Sequence, residues 1–178
     1  MFVKYWTFDY EYSEKIKPSL KQIIIEKYNK DPVKGGGKRT QSDLHKSGHK
    51  EVDNLMGWVQ SLIPDVAGDY GGGKAPETEF GLGGIGGFSP WKFEIDACWG
   101  ICYERGDSVM KHNHFPYPIS FCYYVNTPAD GTPFILEGER ITPIQGKIIF
   151  FPGHQYHWVP KSKSGGRYAI VGNMRYVP

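Results

Sequence analysis

The stretch GDSVMKHNHFPYPISFCYYVN, residues 106–126, decides how the rest of this chain reads. His112 and His114 stand two residues apart, so an extended backbone projects both imidazoles from one face. Neutral imidazole is a good ligand for iron, nickel, copper or zinc. A second stretch, GKIIFFPGHQYHWVP, residues 146–160, reads as a buried strand, a turn at Pro152-Gly153 and a further strand opened by His157. Two ligands from one strand and a third from a later hairpin close three corners of an octahedron. The other corners stay free for substrate, cosubstrate or oxygen. His154 reads as a turn residue, and Asp96 and Asp107 are the nearby acids available as alternative ligands.

Strands continue on both sides of these two stretches. WKFEIDACWGICYE, residues 91–104, alternates, with Phe93, Ile95, Ala97, Trp99, Ile101 and Tyr103 expected on one face. TPFILEGE and the closing RYAIVGNMRYV read as strands too. Arg167 opens the last of these, ten residues after His157 and beside apolar neighbours. A guanidinium facing a barrel interior needs a carboxylate partner, which it grips with two parallel hydrogen bonds. That partner is an internal acid or a bound one; surface exposure is the remaining option. Short strands separated by glycine and proline turns favour a barrel or sandwich over a parallel α/β sheet.

The N-terminal third has a different character. FVKYWTFDY reads as a strand, and SEKIKPSLKQIIIEKYNKD as a helix with Pro18 in its first turn and Leu20, Ile23, Ile24 and Lys27 on one side. A basic, glycine-rich stretch follows, from Lys34 to Arg39. It reads as a solvated loop, with contact to an acidic partner as its functional alternative. A second helix is expected from His49 to Ile63, with Val52, Leu55, Met56, Val59 and Leu62 buried and Pro64 ending it. Residues 65–90 are glycine-dense and read as a long surface loop. Gly81, Gly83 and Gly86 have dinucleotide-fingerprint spacing but lack the strand and helix that motif requires. The organisation expected is a single domain over 1–178. Its N-terminal strand and helices occupy 1–64, the loop 65–90, and the barrel core 91–178.

Composition narrows the function classes. The 178 residues carry a net charge of +2, too mild to argue for nucleic acid or an acidic membrane as partner. Aromatics at 15% and 23 glycines suit a strand-and-turn protein. No window holds the roughly 20 apolar residues that span a bilayer, and no signal-peptide pattern opens the chain, so a cytoplasmic protein is expected. Cys98, Cys102 and Cys122 are an odd number without zinc-like pairing and read as free core thiols.

Taken together, Ala97 to Asn173 resembles the iron(II)- and 2-oxoglutarate-dependent oxygenases. The prolyl-hydroxylase-like branch has a tyrosine, an HxD pair, a YYLN-like strand, a distal histidine and an arginine strand. Tyr103, His112, Tyr123 to Asn126, His157 and Arg167 follow that order here. A bacterial and phage branch is closer still, with an HxH, a serine and paired tyrosines, then G-x-x-x-F-P, H-x-V and R…N. This chain offers His112, His114, Ser120, Tyr123, Tyr124, Gly146, Phe151, Pro152, His157, Val159, Arg167 and Asn173.

The resemblance implies a mainly β double-stranded β-helix, a jelly-roll or cupin-like barrel, with two N-terminal helices packed on it. It implies His112, His114 and His157 as ligands of Fe(II), with Arg167, assisted by Tyr124 and Tyr103, holding 2-oxoglutarate, and O2 as cosubstrate. The implied product is a hydroxylated small molecule or peptide, formed in the host cytoplasm if the gene is a phage's. Two departures stand out. His114 takes the place of the usual acid, and Ala169 the place of a serine or threonine that helps hold the cosubstrate. Two other readings keep the barrel: a cupin-type metal enzyme without 2-oxoglutarate, and a non-catalytic metal-binding or structural module.

Overall fold

The computed structural model describes residues 3–28, 36–70 and 92–177. Among the described residues ten strands and three α-helices run in the order β1 (Trp6–Asp9), α1 (Ser13–Lys27), β2 (Lys38–Arg39), α2 (Lys50–Ser61), α3 (Ile63–Tyr70), β3 (Phe93–Tyr103), β4 (Val109–His112), β5 (Ile119–Asn126), β6 (Phe134–Leu136), β7 (Glu139–Ile141), β8 (Lys147–Pro152), β9 (His157–Val159) and β10 (Arg167–Tyr176). Two antiparallel sheets face one another. The larger has the order β1-β8-β5-β10-β3-β2 and the smaller β4-β9-β6-β7. This is the double-stranded β-helix, with helices on the outer face of the larger sheet.

The inner strands β8, β5 and β10 of the larger sheet are buried on both faces because both are covered. Phe121, Tyr123 and Val125 of β5 join Leu20, Ile24, Val52, Leu55 and Val59 of the helices in one core. Cys122 and Tyr124, one residue out of phase, turn inward to Ile101, Phe134, Leu136, Phe151 and Val159 between the sheets. Strand β5 therefore reads as a continuous apolar run, as a strand buried on two sides should.

The alternation expected along β3 holds only for part of it. Trp99, Ile101 and Tyr103 face the barrel interior, but Phe93 and Ile95 pack with the helices. The register with β10 explains the switch: Asn173 pairs with Ala97 while Met174 pairs with Ile95. Asp96 is an extra residue, and such a bulge exchanges the faces of everything before it.

Helix α1 crosses β3 at Gly100, where an added Cβ would lie 2.5 Å from Ile24 Cγ1; the helix packs this close only because no side chain intervenes. Pro18 is the sixth residue of α1, not a first-turn residue, and its ring lies on the exposed face. A mid-helix proline costs roughly 3 kcal/mol, and burial of Ile16, Leu20, Ile23 and Ile24, at roughly 1.5–3 kcal/mol each, outweighs it. Lys27 is exposed.

Two further expectations change. Pro64 does not end the helical region; it is the second residue of α3, where its missing N–H would have had no partner. The expected loop at 65–90 is thus helical to Tyr70, and its remainder, with Gly81, Gly83 and Gly86, lies outside the described residues. In the basic stretch, Lys38 and Arg39 are not loop but β2, pairing with Cys102 and Ile101. All three cysteines are free and buried. Among the described residues no helix is long and apolar enough to cross a membrane.

Candidate metal centre and anion pocket

Strands β4 and β9 are antiparallel neighbours, and their register sets His112 opposite His157. His114 lies two residues beyond the end of β4, in a loop rather than in the strand. The Gly153 carbonyl accepts from the His114 N–H at 2.7 Å, and the Gly153 N–H donates to the Pro118 carbonyl at 3.0 Å. Gly153 thus clips both ends of the 114–118 loop, and a Cβ there would overlap the Tyr117 carbonyl oxygen. The extended direction survives past the strand end, so all three imidazoles meet. One nitrogen from each lies within 4.8 Å of the others.

The outer nitrogens are all committed. His112 Nδ1 lies 2.8 Å from the Met110 carbonyl and His157 Nδ1 3.2 Å from the Gln155 carbonyl. A carbonyl only accepts, so both Nδ1 atoms carry the proton. His114 Nδ1 lies 3.0 Å from Ser120 Oγ, whose own proton goes to Asn173 Oδ1 at 2.8 Å. His114 Nδ1 is therefore the donor there too. Every Nε2 is left bare, and those of His112 and His114 face each other at 3.2 Å. Two opposed lone pairs at that distance repel unless a cation lies beside them, so this donor set suits a divalent metal.

The surroundings favour the neutral form of two of the rings, His114 and His157. Burial, with the positive charge His112 can carry, pulls the His114 pKa down to about 4. Burial and the other two imidazoles hold His157 well below the ordinary histidine value. Neither acid raised as an alternative ligand belongs to the cluster. Asp96 accepts from the Tyr117 hydroxyl at 2.8 Å and lies 3.3 Å from Arg175 Nε, while Asp107 accepts from the Glu104 N–H at 2.8 Å. His154 is exposed in its turn.

Arg167, at the start of β10, lines the same cavity as the three histidines. It is 3% exposed, and its guanidinium lies 5.3 Å from the ring centre of Tyr103 and 5.6 Å from that of Tyr124. Its one described hydrogen bond runs from Nη1 to the Thr132 carbonyl at 3.2 Å, and Nε has no partner. Among the described residues no carboxylate pairs with it. The buried Tyr124 hydroxyl is likewise without a partner. A buried, unpaired cation in the cavity wall, with an unsatisfied phenol whose ring lies beside it, is what an entering carboxylate would satisfy. Ala169, paired with Tyr124 across β5 and β10, offers no hydrogen bond there.

Several residues that shape the site carry little signal of their own in the sequence. Ser120 and Asn173 fit the pattern of one branch without an evident role; their cross-strand pairing supplies it. Asp130 accepts from the Thr132 and Ser164 amides and the Ser164 hydroxyl, fixing the loop whose carbonyl meets Arg167. Arg39 stacks on Trp99, its guanidinium 4.6 Å from the ring centre.

No protein-family model and no curated protein matches the sequence. Solved structures do. A Pseudomonas putida prolyl-4-hydroxylase superposes with a TM-score of 0.69 at 15% identity, over 98% of this chain and 94% of that one. The viral collagen prolyl hydroxylase of Paramecium bursaria Chlorella virus-1, in its 2-oxoglutarate complex, gives 0.69 at 14% identity, over 98% and 96%. HygX from Streptomyces hygroscopicus, with nickel and 2-oxoglutarate bound, gives 0.64 at 8% identity, over 97% and 82%. Nearly the whole chain thus has the fold of 2-oxoglutarate oxygenases.

Proposed function

We propose that this chain is a single-domain iron(II)- and 2-oxoglutarate-dependent dioxygenase that hydroxylates a small molecule or a peptide. The observation that carries this reading is Arg167, a buried guanidinium without an acid partner, set in the same cavity as three converging imidazoles. His112, His114 and His157 would hold the metal. Arg167, with the Tyr124 hydroxyl and the Tyr103 ring, would hold the far carboxylate of the keto acid. When bound, iron(II) with 2-oxoglutarate supplies the O2-dependent oxidation, in which the keto acid is decarboxylated to succinate.

The protein's part is placement. Three fixed tautomers present lone pairs inward, and Phe134, Phe151 and Val159 keep the cavity apolar, so a buried ion pair at Arg167 is screened little by water. A cupin-type enzyme or a structural module would not require an unpaired arginine in that cavity, and this favours the oxygenase. Buried, unpaired thiols suit a cytoplasmic setting.

Anaerobic addition of Fe(II) and 2-oxoglutarate tests the reading. The expected result is a visible metal-to-ligand charge-transfer band that Arg167→Ala weakens. Metal uptake indifferent to 2-oxoglutarate would overturn it in favour of the cupin-type alternative.

A further inference from the structure

Outside the metal cavity lies a second hollow of about 370 Å³, lined by Arg39, Trp99, Val109, Met110, Lys111 and His112 among others. Trp99, Val109 and His112 line both spaces, so a molecule in the outer hollow rests against the histidine cluster. Its chemistry is one-sided: two cations, apolar walls and no acid among the lining residues.

Arg39 is the better placed of the two cations. Its partner across β2 and β3 is Ile101, which sets it diagonally over Trp99. Its Nε donates to the Thr40 carbonyl at 3.3 Å and its Nη2 to Ser42 Oγ, so the side chain is held in place. Among the described residues Nη1 makes no hydrogen bond and no carboxylate pairs with the group. Burial is the main influence on its pKa and lowers it, the mark of a guanidinium without a counter-charge. Lys111 spreads its ammonium over Tyr156 and Trp158, 5.3 Å from each ring centre, and adds positive charge nearby.

We infer that the substrate is an organic anion, with its carboxylate or equivalent oxyanion on Arg39 and its apolar body against Trp99, Val109 and Met110. The inference rests on the oxygenase reading and deepens it, since the hollow opens onto the same metal-binding face. The anion on Arg39 is separate from the one on Arg167, which lines the metal cavity and not the outer hollow. A fork already stacked and hydrogen-bonded loses little freedom on gripping a carboxylate, which favours an anion over its neutral isostere.

The test uses protein saturated with Co(II) and 2-oxoglutarate and three probes: N-acetyl-phenylalanine, its neutral amide, and phenyl phosphate. Calorimetry gives affinity, and paramagnetic broadening of probe protons places each probe beside the metal. The carboxylate is expected to bind about tenfold or more tighter than the amide. Arg39→Met should erase that preference and Arg39→Lys should retain part of it, both with unchanged Co(II) and 2-oxoglutarate affinity. Phenyl phosphate binding more tightly than the carboxylate would assign the site to phosphate esters within the same chemistry.

Equal binding of acid and amide, survival of the preference in Arg39→Met, or no broadening of any probe would overturn the inference while leaving the metal site standing. Failure of the wild type to take up Co(II) with 2-oxoglutarate would instead bring down the oxygenase reading, and this inference with it.

Discussion

Ser120 and Asn173 face each other across β5 and β10, and the serine hydroxyl both donates to Asn173 Oδ1 and accepts from His114 Nδ1. The pair is buried, at 0% and 6% exposure, so no water substitutes for either bond. Ser120→Ala removes the acceptor for His114 and the donor for Asn173 together. Loss of such an orienting partner typically costs 10- to 100-fold in metal affinity. A drop of that size in Co(II) affinity is expected by calorimetry, with a stability loss of about 1–3 kcal/mol from the unsatisfied groups. Unchanged Co(II) affinity in a folded Ser120→Ala protein would refute the role given to the pair.

Three neutral imidazoles would leave the full charge of a bound divalent ion uncompensated by the protein. On the proposed function a dianionic keto acid would supply the negative charge, and metal and cosubstrate would then favour each other reciprocally. Saturating 2-oxoglutarate should tighten Co(II) binding about tenfold or more, in line with coupling of 1–3 kcal/mol. Arg167→Met should abolish the enhancement and leave binding of Co(II) alone nearly intact. Independent binding of the two in the wild type would contradict the charge argument.

The site was more legible in the sequence than its support. Two histidines at a spacing of two and a third after a Pro-Gly turn are visible because strand geometry is local. Their partners are not, since Ser120 and Asn173 are 53 positions apart and meet only through sheet register. The bulge at Asp96 is equally hidden: alternation fixes relative faces along β3 but cannot show where an extra residue reverses them. Lys38 and Arg39 look like part of a solvated basic loop. They become an edge strand because β3 offers them an unpaired ladder, a tertiary effect that composition does not carry.

Stability of the metal-free protein should depend on pH through the same cluster. His114, drawn down to about 4, and His157, lower than usual, are neutral when folded, whereas unfolded histidine titrates near 6.5. Between those values the unfolded chain binds more protons, so stability rises with pH. The contribution is complete above about 6.5 and is lost as pH falls from there through about 4. Urea midpoints between pH 7.5 and 4.5 should fall accordingly. Co(II), which needs deprotonated imidazoles, should raise the midpoint more at pH 7.5 than at pH 4.5 and so steepen the decline, and His114→Gln should reduce it. A midpoint flat across that range in the wild type would argue against buried neutral imidazoles.

Asp130 reaches the anion pocket at second hand. Burial disfavours its charge, but the Thr132 amide and the Ser164 hydroxyl and amide outweigh this and hold the carboxyl at about 2. These bonds fix the turn that aims the Thr132 carbonyl at Arg167 Nη1. Asp130→Asn keeps the size but weakens three charge-assisted bonds, so the turn loosens and Arg167 loses its one described anchor. A several-fold loss of 2-oxoglutarate affinity is expected, with binding of Co(II) alone unchanged. Wild-type 2-oxoglutarate affinity in the variant would show that Arg167 needs no help from this loop.

Gly153 is the position where fold and site are least separable. Its carbonyl receives the His114 amide and its own amide reaches Pro118, so the chain after β8 and the loop after β4 pass within hydrogen-bonding distance. A Cβ at Gly153 would occupy the space of the Tyr117 carbonyl oxygen, which is backbone and cannot rotate away. Gly153→Ala must therefore push the 114–118 loop outward and carry the His114 imidazole away from His112 and His157. The metal site should suffer more than the fold, because the displaced loop is short and both sheets keep their pairings. The expected outcome is a Co(II) affinity lowered at least as much as in Ser120→Ala, with a native-like circular dichroism spectrum. Combining the two changes should then cost less than the sum of their separate effects, since both act by releasing His114. Full additivity in that cycle would mean that Gly153 and Ser120 govern different parts of the site.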